Sequence, residues 1–453
     1  MRADSRLARL GLWLRAHQGQ IRALQWLVVA IYLALLVLPA LLPLPPAQAS
    51  LLDSLNGIAQ MLFWGLWWPG VILSVLLFGR LWCGLLCPEG MLSEWASQRG
   101  RGRRAPDWLR WPGWPLLAFV LTTVYGQLLS VYQYPRPALL ILGGSTVAAM
   151  AVGYAYARNK RIWCRYLCPV SGVFGLLARL APLHYAVDRA AWDAPPSRKV
   201  IAINCAPLID IRRMDSASQC HQCGRCAGQR DAVQWAWRQP GQEIITLRPE
   251  QTRGWEVALL LYGLIGTAGG AFLWSSSTLL LQAKQGLAGW LIEHERALWL
   301  LDDTAPWWLL THYPQLNDSF SWLDGALILA YITLAALALG SWAWAWLAAA
   351  ARLLQHDWRA RQRQLAYCLT PLAGLTLLLG LSLTSFSQLR GLGLALNWRG
   401  WLQGGLLLAG LLWSLQLAWA QLAGLPRRRR ALLLYAPAPI GIALVWLGLL
   451  FGA

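Results

Sequence analysis

The chain has 453 residues, 57% of them hydrophobic and 13% charged; soluble domains carry about 25% charged residues, so the composition excludes an ordinary water-soluble fold. A formal net charge of +19 would suit a nucleic-acid binder. Here the basic residues collect in loops between apolar runs, with no aromatic-interleaved basic patch, so no nucleic-acid partner is expected. Trp occurs 30 times, which fits a lipid bilayer as the partner, because indole rings favour its two faces.

The N-terminal arm, Arg2 to Arg22, is basic and leads into an apolar run from about 24 to 44. Ala47-Gln48-Ala49 resembles a signal-peptide cleavage site, but the run is longer than the roughly 7–15 residues of a signal-peptide core. An uncleaved first span is expected. Runs that reach the roughly 20 residues needed to cross a bilayer as helix predict about nine spans. They lie near 23–44, 57–79, 113–131, 138–157, 255–275, 324–350, 365–387, 400–423 and 431–452. The basic stretches Arg99 to Arg110, Arg158 to Arg165, Arg352 to Arg363 and Arg427 to Arg430 then share a side with the N-terminus. That side is the cytoplasm by the positive-inside rule, with Arg390 and Arg399 as mild exceptions. Val170 to Leu180 is apolar and could form a re-entrant segment.

Two copies of one phrase punctuate the first four spans. Arg80-Leu81-Trp82-Cys83-Gly84-Leu85-Leu86-Cys87-Pro88 returns as Arg161-Ile162-Trp163-Cys164-Arg165-Tyr166-Leu167-Cys168-Pro169. Cysteines four apart share a helix face, and proline is tolerated where a helix starts or stops. Each phrase therefore offers two thiols at a helix terminus. Cys83, Cys87, Cys164 and Cys168 together are a candidate second redox or metal site, either as four thiolates for iron–sulfur, zinc or copper(I) or as cycling dithiols. The alternative, buried cysteine as small apolar filler, does not account for the matched Arg, Trp and Pro.

Cys220-His221-Gln222-Cys223-Gly224-Arg225-Cys226 has the C-x2-C-x2-C spacing of a 4Fe–4S site, in which a more distant cysteine before proline supplies the fourth ligand. Cys205-Ala206-Pro207 provides it, so Cys205, Cys220, Cys223 and Cys226 are the candidate cofactor and metal ligands. A four-cysteine zinc site is the alternative. His221 could hydrogen-bond to a cluster sulfur or be a solvent-exposed loop residue. Arg212, Arg213, Arg225 and Arg230 could offset the cluster charge, dock an acidic donor, or form a solvated basic loop.

Elsewhere the signals are weaker. Cys368 stands alone in the seventh span and reads as packing. The loop 276–322 carries Glu293-His294-Glu295, Asp302-Asp303, His312, Asn317, Asp318 and Asp324, a metal- or partner-binding candidate or an interfacial amphipathic helix with Trp anchors. None of the histidines 17, 184, 221, 294, 312 and 356 sits mid-span, and no C-x-x-C-H occurs, so no haem is expected. No dinucleotide fingerprint is visible, and few charges lie within the last five spans, which argues against an ion pathway there. No catalytic residue is assigned.

The doubled Trp-Cys-x3-Cys-Pro and the cysteine cluster after it resemble the membrane-bound ferredoxin-type (polyferredoxin) proteins. These include accessory proteins of periplasmic nitrate reductase, methylamine utilisation and cytochrome oxidase. Cys205-Ala206-Pro207-Leu208-Ile209-Asp210-Ile211-Arg212 is similar to a signature of the last group. The resemblance covers roughly residues 20 to 230. It implies cluster ligation by Cys205, Cys220, Cys223 and Cys226, and electron transfer from a cytoplasmic or membrane donor toward a periplasmic acceptor or a metal ion. A redox step in iron or copper uptake, or in metalloenzyme assembly, is the alternative. Family members usually carry two ferredoxin-type cysteine sets, and this chain carries one. The expected whole is an all-α integral membrane protein of a bacterial-type inner membrane, with its N-terminus cytoplasmic. Residues 1–180 form the duplicated hairpin region, 181–253 a small cytoplasmic ferredoxin-like iron–sulfur loop region, and 254–453 a five-helix region with the periplasmic loop 276–322.

Overall fold

The computed structural model describes residues 6–46, 51–156, 158–195, 202–354 and 357–451. Arg2, Ala47-Gln48-Ala49 and His356 lie outside them. The architecture is all-α. Among the described residues eight helices are long and apolar enough to cross a membrane: α2 (Gln18–Leu41), α3 (Leu55–Phe78), α6 (Pro135–Tyr156), α8 (Gly254–Ser276), α10 (Trp322–Arg352), α11 (Trp358–Gly391), α12 (Arg399–Gln421) and α13 (Arg428–Phe451). The third expected span, α5 (Trp114–Leu128), is apolar but has only 15 residues, about 22 Å of helix. α11 starts earlier than its apolar stretch predicts. Its first turns, Trp358–Ala366, are polar, yet Asp357 accepts a hydrogen bond from the Ala360 amide and caps them.

The chain divides into two compact units. The first comprises Met1–Leu35, Gly70–Ala118 and Gly144–Gln251; the second comprises Leu36–Pro69, Phe119–Gly143 and Thr252–Ala453.

In the first unit, α1 (Arg6–Ala16) buries Ala8, Gly11 and Leu14, a spacing of three that marks one helix face. That face lies on a two-stranded antiparallel sheet, β1 (Leu183–Val187) with β2 (Val233–Trp237), registered Tyr185 against Trp235. Leu14, Leu183, Tyr185, Cys220, Ala227, Val233 and Trp235 form one core, so the segment carrying Cys220 is framed by this two-stranded sheet and roofed by the N-terminal helix. A methyl at Gly11 would lie 3.3 Å from Trp235 Cβ. α4 (Pro88–Gln98) packs along the Gly144–Tyr156 part of α6. The short helix α7 (Ser171–Leu177) is almost wholly buried and occupies the segment read as re-entrant.

In the second unit, helices meet through small residues, as they do where lipid removes the hydrophobic drive. A Cβ at Gly266 would come within 2.7 Å of Ala336 Cα on α10, one at Gly270 within 3.2 Å of Ile332 Cα, and one at Gly410 within 3.2 Å of Leu372 Cα. The loop 276–322 holds the helix α9 (Thr278–Glu293) and a small hairpin, β3 (His312–Tyr313) with β4 (Asp318–Ser319). His294 stacks on Trp290 and bonds its carbonyl. Tyr134 donates to Asp318 at 2.6 Å and stacks on Tyr313.

Candidate metal centre

The two copies of the repeated phrase fold alike. Leu81–Leu85 and Ile162–Tyr166 are single helical turns. Each ends with its tryptophan carbonyl accepting two amides, Leu86 and Cys87 on Trp82, and Leu167 and Cys168 on Trp163, at 2.9–3.0 Å. The helix therefore stops between the two cysteines, and a wide turn, not one helix face, gathers each pair. Cys87 then caps α4: its sulfur accepts the Gly90 amide at 3.4 Å, with Pro88 in the first turn.

The thiols of the two copies lie near enough to act on one another's charge. Burial pushes the Cys87 thiol well up, and Cys164 and then Cys83 push it further. Burial lifts Cys164 to about 12, against the pull of Arg161 and with a further push from Cys83. Cys168 is raised by burial, then by Glu89, Cys164, Cys87 and Cys83. Gly90, whose amide bonds Cys87, lies close enough to the second copy that a methyl on it would sit 3.6 Å from Cys164 Sγ. Glu89 accepts from Trp163 Nε1 at 3.2 Å, and burial raises its carboxyl above the usual range.

The second quartet lines one cavity. Cys205, Cys220, Cys223 and Cys226 share it with Tyr185, Ile209, Ile211 and His221. Burial raises Cys220 to about 12, with Cys223 and Cys205 adding to it. Burial likewise raises Cys226, followed by Cys220, Cys223 and Cys205. Two close approaches hold this loop. Gly84 in the first phrase lies under it, and a methyl there would be 2.0 Å from the His221 carbonyl. Gly224 adopts φ +80, a left-handed conformation that favours glycine, and a Cβ on it would meet Leu14 Cβ at 2.7 Å. From α1 and its continuation, Gln18 donates to the Cys223 carbonyl at 3.0 Å and Arg15 to the Ala227 carbonyl at 2.7 Å.

The arginines that open the two phrases lie between the quartets. Arg161 donates from Nε to Glu94 at 2.8 Å and from Nη1 to the Cys83 carbonyl at 2.6 Å, and its amide donates to the Ala206 carbonyl at 2.8 Å. Both Cys164 and Cys223 act on its charge. Arg80 donates to the Ser218 carbonyl and to Ser171 Oγ, each at 2.8 Å, and Ser171 passes the bond to the Cys164 carbonyl at 2.6 Å. Each arginine thus crosses to the other copy. Arg161 reaches Cys83 directly because Gly90 leaves room, and Arg80 reaches Cys164 through Ser171, which stands at the position equivalent to Gly90. Arg225 donates to the other oxygen of Glu94 at 2.7 Å. Burial alone would raise the Glu94 carboxyl, but Arg161 and Arg225 hold it below the usual range.

The donor set fits iron–sulfur chemistry. Among the described residues no three His, Cys, Asp or Glu side chains converge tightly enough for a single metal ion; a cubane takes its thiolates at separate corners. Arg80 Nε, Arg161 Nη2 and His221 Nδ1 are buried atoms without a partner, and sulfur acceptors at the quartets would satisfy donors so placed. His221 is 2% exposed, which overturns its reading as a solvent-exposed loop residue. Burial and the charge of Arg80 keep its imidazole neutral. The four loop arginines separate in role. Arg212 and Arg213 make exposed pairs with Asp193 and Asp210, Arg230 lies over Trp192, and Arg225 alone reaches the lattice between the quartets. Cys368 is buried with Sγ 3.2 Å from Gln421 Oε1.

Sequence reasoning singled out Arg80 and Arg161 as part of the repeated phrase but gave them no role, and it missed Glu94, Gln18 and the cover formed by α1. One signal was available: an arginine opens both copies of the phrase at the same offset from its first cysteine.

A family model described as a 4Fe-4S binding domain matches residues 60–106 and 140–184, two stretches that contain Cys83 and Cys87, then Cys164 and Cys168. The chain is 25% identical over 183 residues to the regulatory protein NosR of Pseudomonas aeruginosa, covering 35% of this chain and 25% of that protein. It is 25% identical over 237 residues to the putative electron transport protein YccM of Escherichia coli, covering 46% of this chain and 65% of that one. It thus spans less than two thirds of either relative. No solved structure matches it. The repeated half-sites are thus similar to a 4Fe-4S binding domain, and the two relatives support the resemblance to membrane ferredoxin-type proteins.

Proposed function

We propose that this protein is a membrane-bound iron–sulfur electron carrier with two centres, one held by Cys205, Cys220, Cys223 and Cys226 and the other by Cys83, Cys87, Cys164 and Cys168. The reading rests on the two buried arginines, Arg80 and Arg161, which each reach both thiol groups and keep unpartnered N–H donors there. Iron–sulfur clusters supply one-electron exchange at potentials set by net charge, hydrogen bonds to sulfur and solvent exposure. The residues do the rest. Arg80 and Arg161 offset the negative charge of thiolate-bound clusters, and Glu94 fixes Arg161 and Arg225 in place. Leu14, Tyr185 and Trp235 exclude water on one side. Basic loops on the N-terminal side support a cytoplasmic, inner-membrane face for both quartets by the positive-inside rule. Electrons then pass from a cytoplasmic or membrane donor toward a periplasmic protein or a metal ion.

Iron and acid-labile sulfide analysis with EPR on the reduced protein tests this. Wild type is expected to show two cluster signals. Cys223→Ser removes one and Cys164→Ser the other. Zinc in place of iron overturns the assignment, and a single signal insensitive to Cys164→Ser removes the second centre.

A further inference from the structure

The last turns of α10 and the first turns of α11 frame a cavity that electron transfer does not use. Its volume is about 570 Å³, within the roughly 300–1,000 Å³ of small-molecule sites. Trp344 and Arg352 come from the last turns of α10; Trp358, Arg359, Gln362 and Arg363 come from the first turns of α11. The two walls are tied together, because Gln362 Nε2 donates to the Trp344 carbonyl at 2.9 Å. Trp358 carries two guanidinium groups over its ring, Arg352 at 4.9 Å and Arg359 at 5.4 Å from the centroid. Arg363 adds a third charge, and its Nε is buried without a partner.

Three like charges around one cavity repel each other, and the described residues supply no ion-pair partner for them. Among the described residues no carboxylate forms an ion pair with Arg352, Arg359 or Arg363. Asp357, the acid of the turn, is exposed and caps α11 through Ala360. Guanidinium forks match phosphate oxygens in pairs. The cavity also joins the ends of two candidate spans, where basic pockets between membrane helices take lipid headgroups and tryptophans mark the interface. We propose that this cavity binds a phosphate-bearing anion, its oxygens on the three arginines and any apolar part against Trp344 and Trp358. An anionic phospholipid headgroup and free phosphate share that chemistry.

Binding to the full-length protein in detergent separates the two sources. The probes are short-chain phosphatidylglycerol, short-chain phosphatidylcholine and inorganic phosphate, read by native mass spectrometry and by shift of the thermal transition. Phosphatidylglycerol is expected to bind well above phosphatidylcholine, and R352Q and R363Q each to weaken it about tenfold or more. R352Q alters an exposed side chain and guards against a folding failure in R363Q. Phosphate that binds with the same sensitivity to both variants assigns the site to a free anion. No binding by either anion, or binding that both variants leave unchanged, overturns the proposal.

Discussion

The two units of this chain handle charge in opposite ways. The first buries Arg80, Glu94, Arg161, Arg179 and Glu243. Among the described residues the second buries no charged side chain at all; its buried polar groups are Gln, Asn, Ser and Thr. Burying an ion pair is neutral or costly next to a well-packed apolar replacement, and charge in a membrane protein marks function more often than stability. Packing could have been achieved throughout by the glycine contacts of the second unit. The first unit keeps ionic contacts where eight of the nine cysteines lie. Three of the buried charges, Arg80, Arg161 and Glu94, are tied to the cysteine segments, which makes them candidates for the electrical environment of the thiols.

The largest test of that contrast is Arg161→Met. It leaves Glu94 with Arg225 as its remaining partner and frees the Cys83 carbonyl. Removing one member of a buried pair costs about 3–5 kcal/mol, so the variant is expected to melt earlier and to lose iron from both quartets. Arg161→Lys keeps the charge but not the fork. It is expected to retain iron while shifting the midpoint potentials of both centres in EPR-monitored redox titrations. A shift confined to one centre would break the link that Arg161 makes between the two quartets.

A smaller effect is expected at the far side of the first unit. Glu243 accepts from Arg179 at 2.9 Å, from Arg238 at 2.6 Å, and from Ser216 and the Ala217 amide. Burial would raise its carboxyl, but the two arginines hold it below the ordinary value of 4.5. A folded-state value below the unfolded one contributes stability that is complete above the ordinary range and is lost as pH falls through the depressed value. His184 works in the same direction, because burial and Arg238 lower its pKa; it resists protonation in the folded state. Protection of β1 and β2 amides from hydrogen exchange is therefore expected to fall with acid, beginning with His184 and steepening with Glu243. Glu243→Gln should lower protection at neutral pH and flatten the acid limb. Equal acid sensitivity in α11 and α12, where no carboxylate is buried, would remove the distinction between the units.

Local features of the sequence carried much of this structure. Span positions follow from apolar length, which each helix satisfies by itself, and the cysteine sets follow from spacing within single turns. What sequence could not supply depends on distant partners. Gly84 reads as one more residue of the helix terminus until the His221 carbonyl lies against it. Gln18 reads as the polar start of a span until its amide meets the Cys223 carbonyl. The polar opening of α11 reads as loop because its helicity depends on the Asp357 cap and on Gln362 bonding Trp344. The i, i+4 rule put each cysteine pair on one helix face, whereas the doubly accepting Trp82 and Trp163 carbonyls end the helix between them.

The smallest effect, and the sharpest check on the contrast, is Cys368→Ala in the second unit. Cys368 is fully buried, and its thiol donates to Gln421 Oε1 at 3.2 Å. A free cysteine in such surroundings behaves as a small apolar residue with a weak donor. Alanine removes one sulfur from a site walled by α11 and α12, and a buried deletion of that size, comparable to Ile→Val, costs about 0.5–1.5 kcal/mol. Iron content, sulfide content and both EPR signals are expected to match wild type, in contrast to any of the eight other cysteines. Loss of either signal in Cys368→Ala would mean that the second unit shares in holding a cluster, and the buried charges of the first unit would then need an explanation other than the thiols beside them.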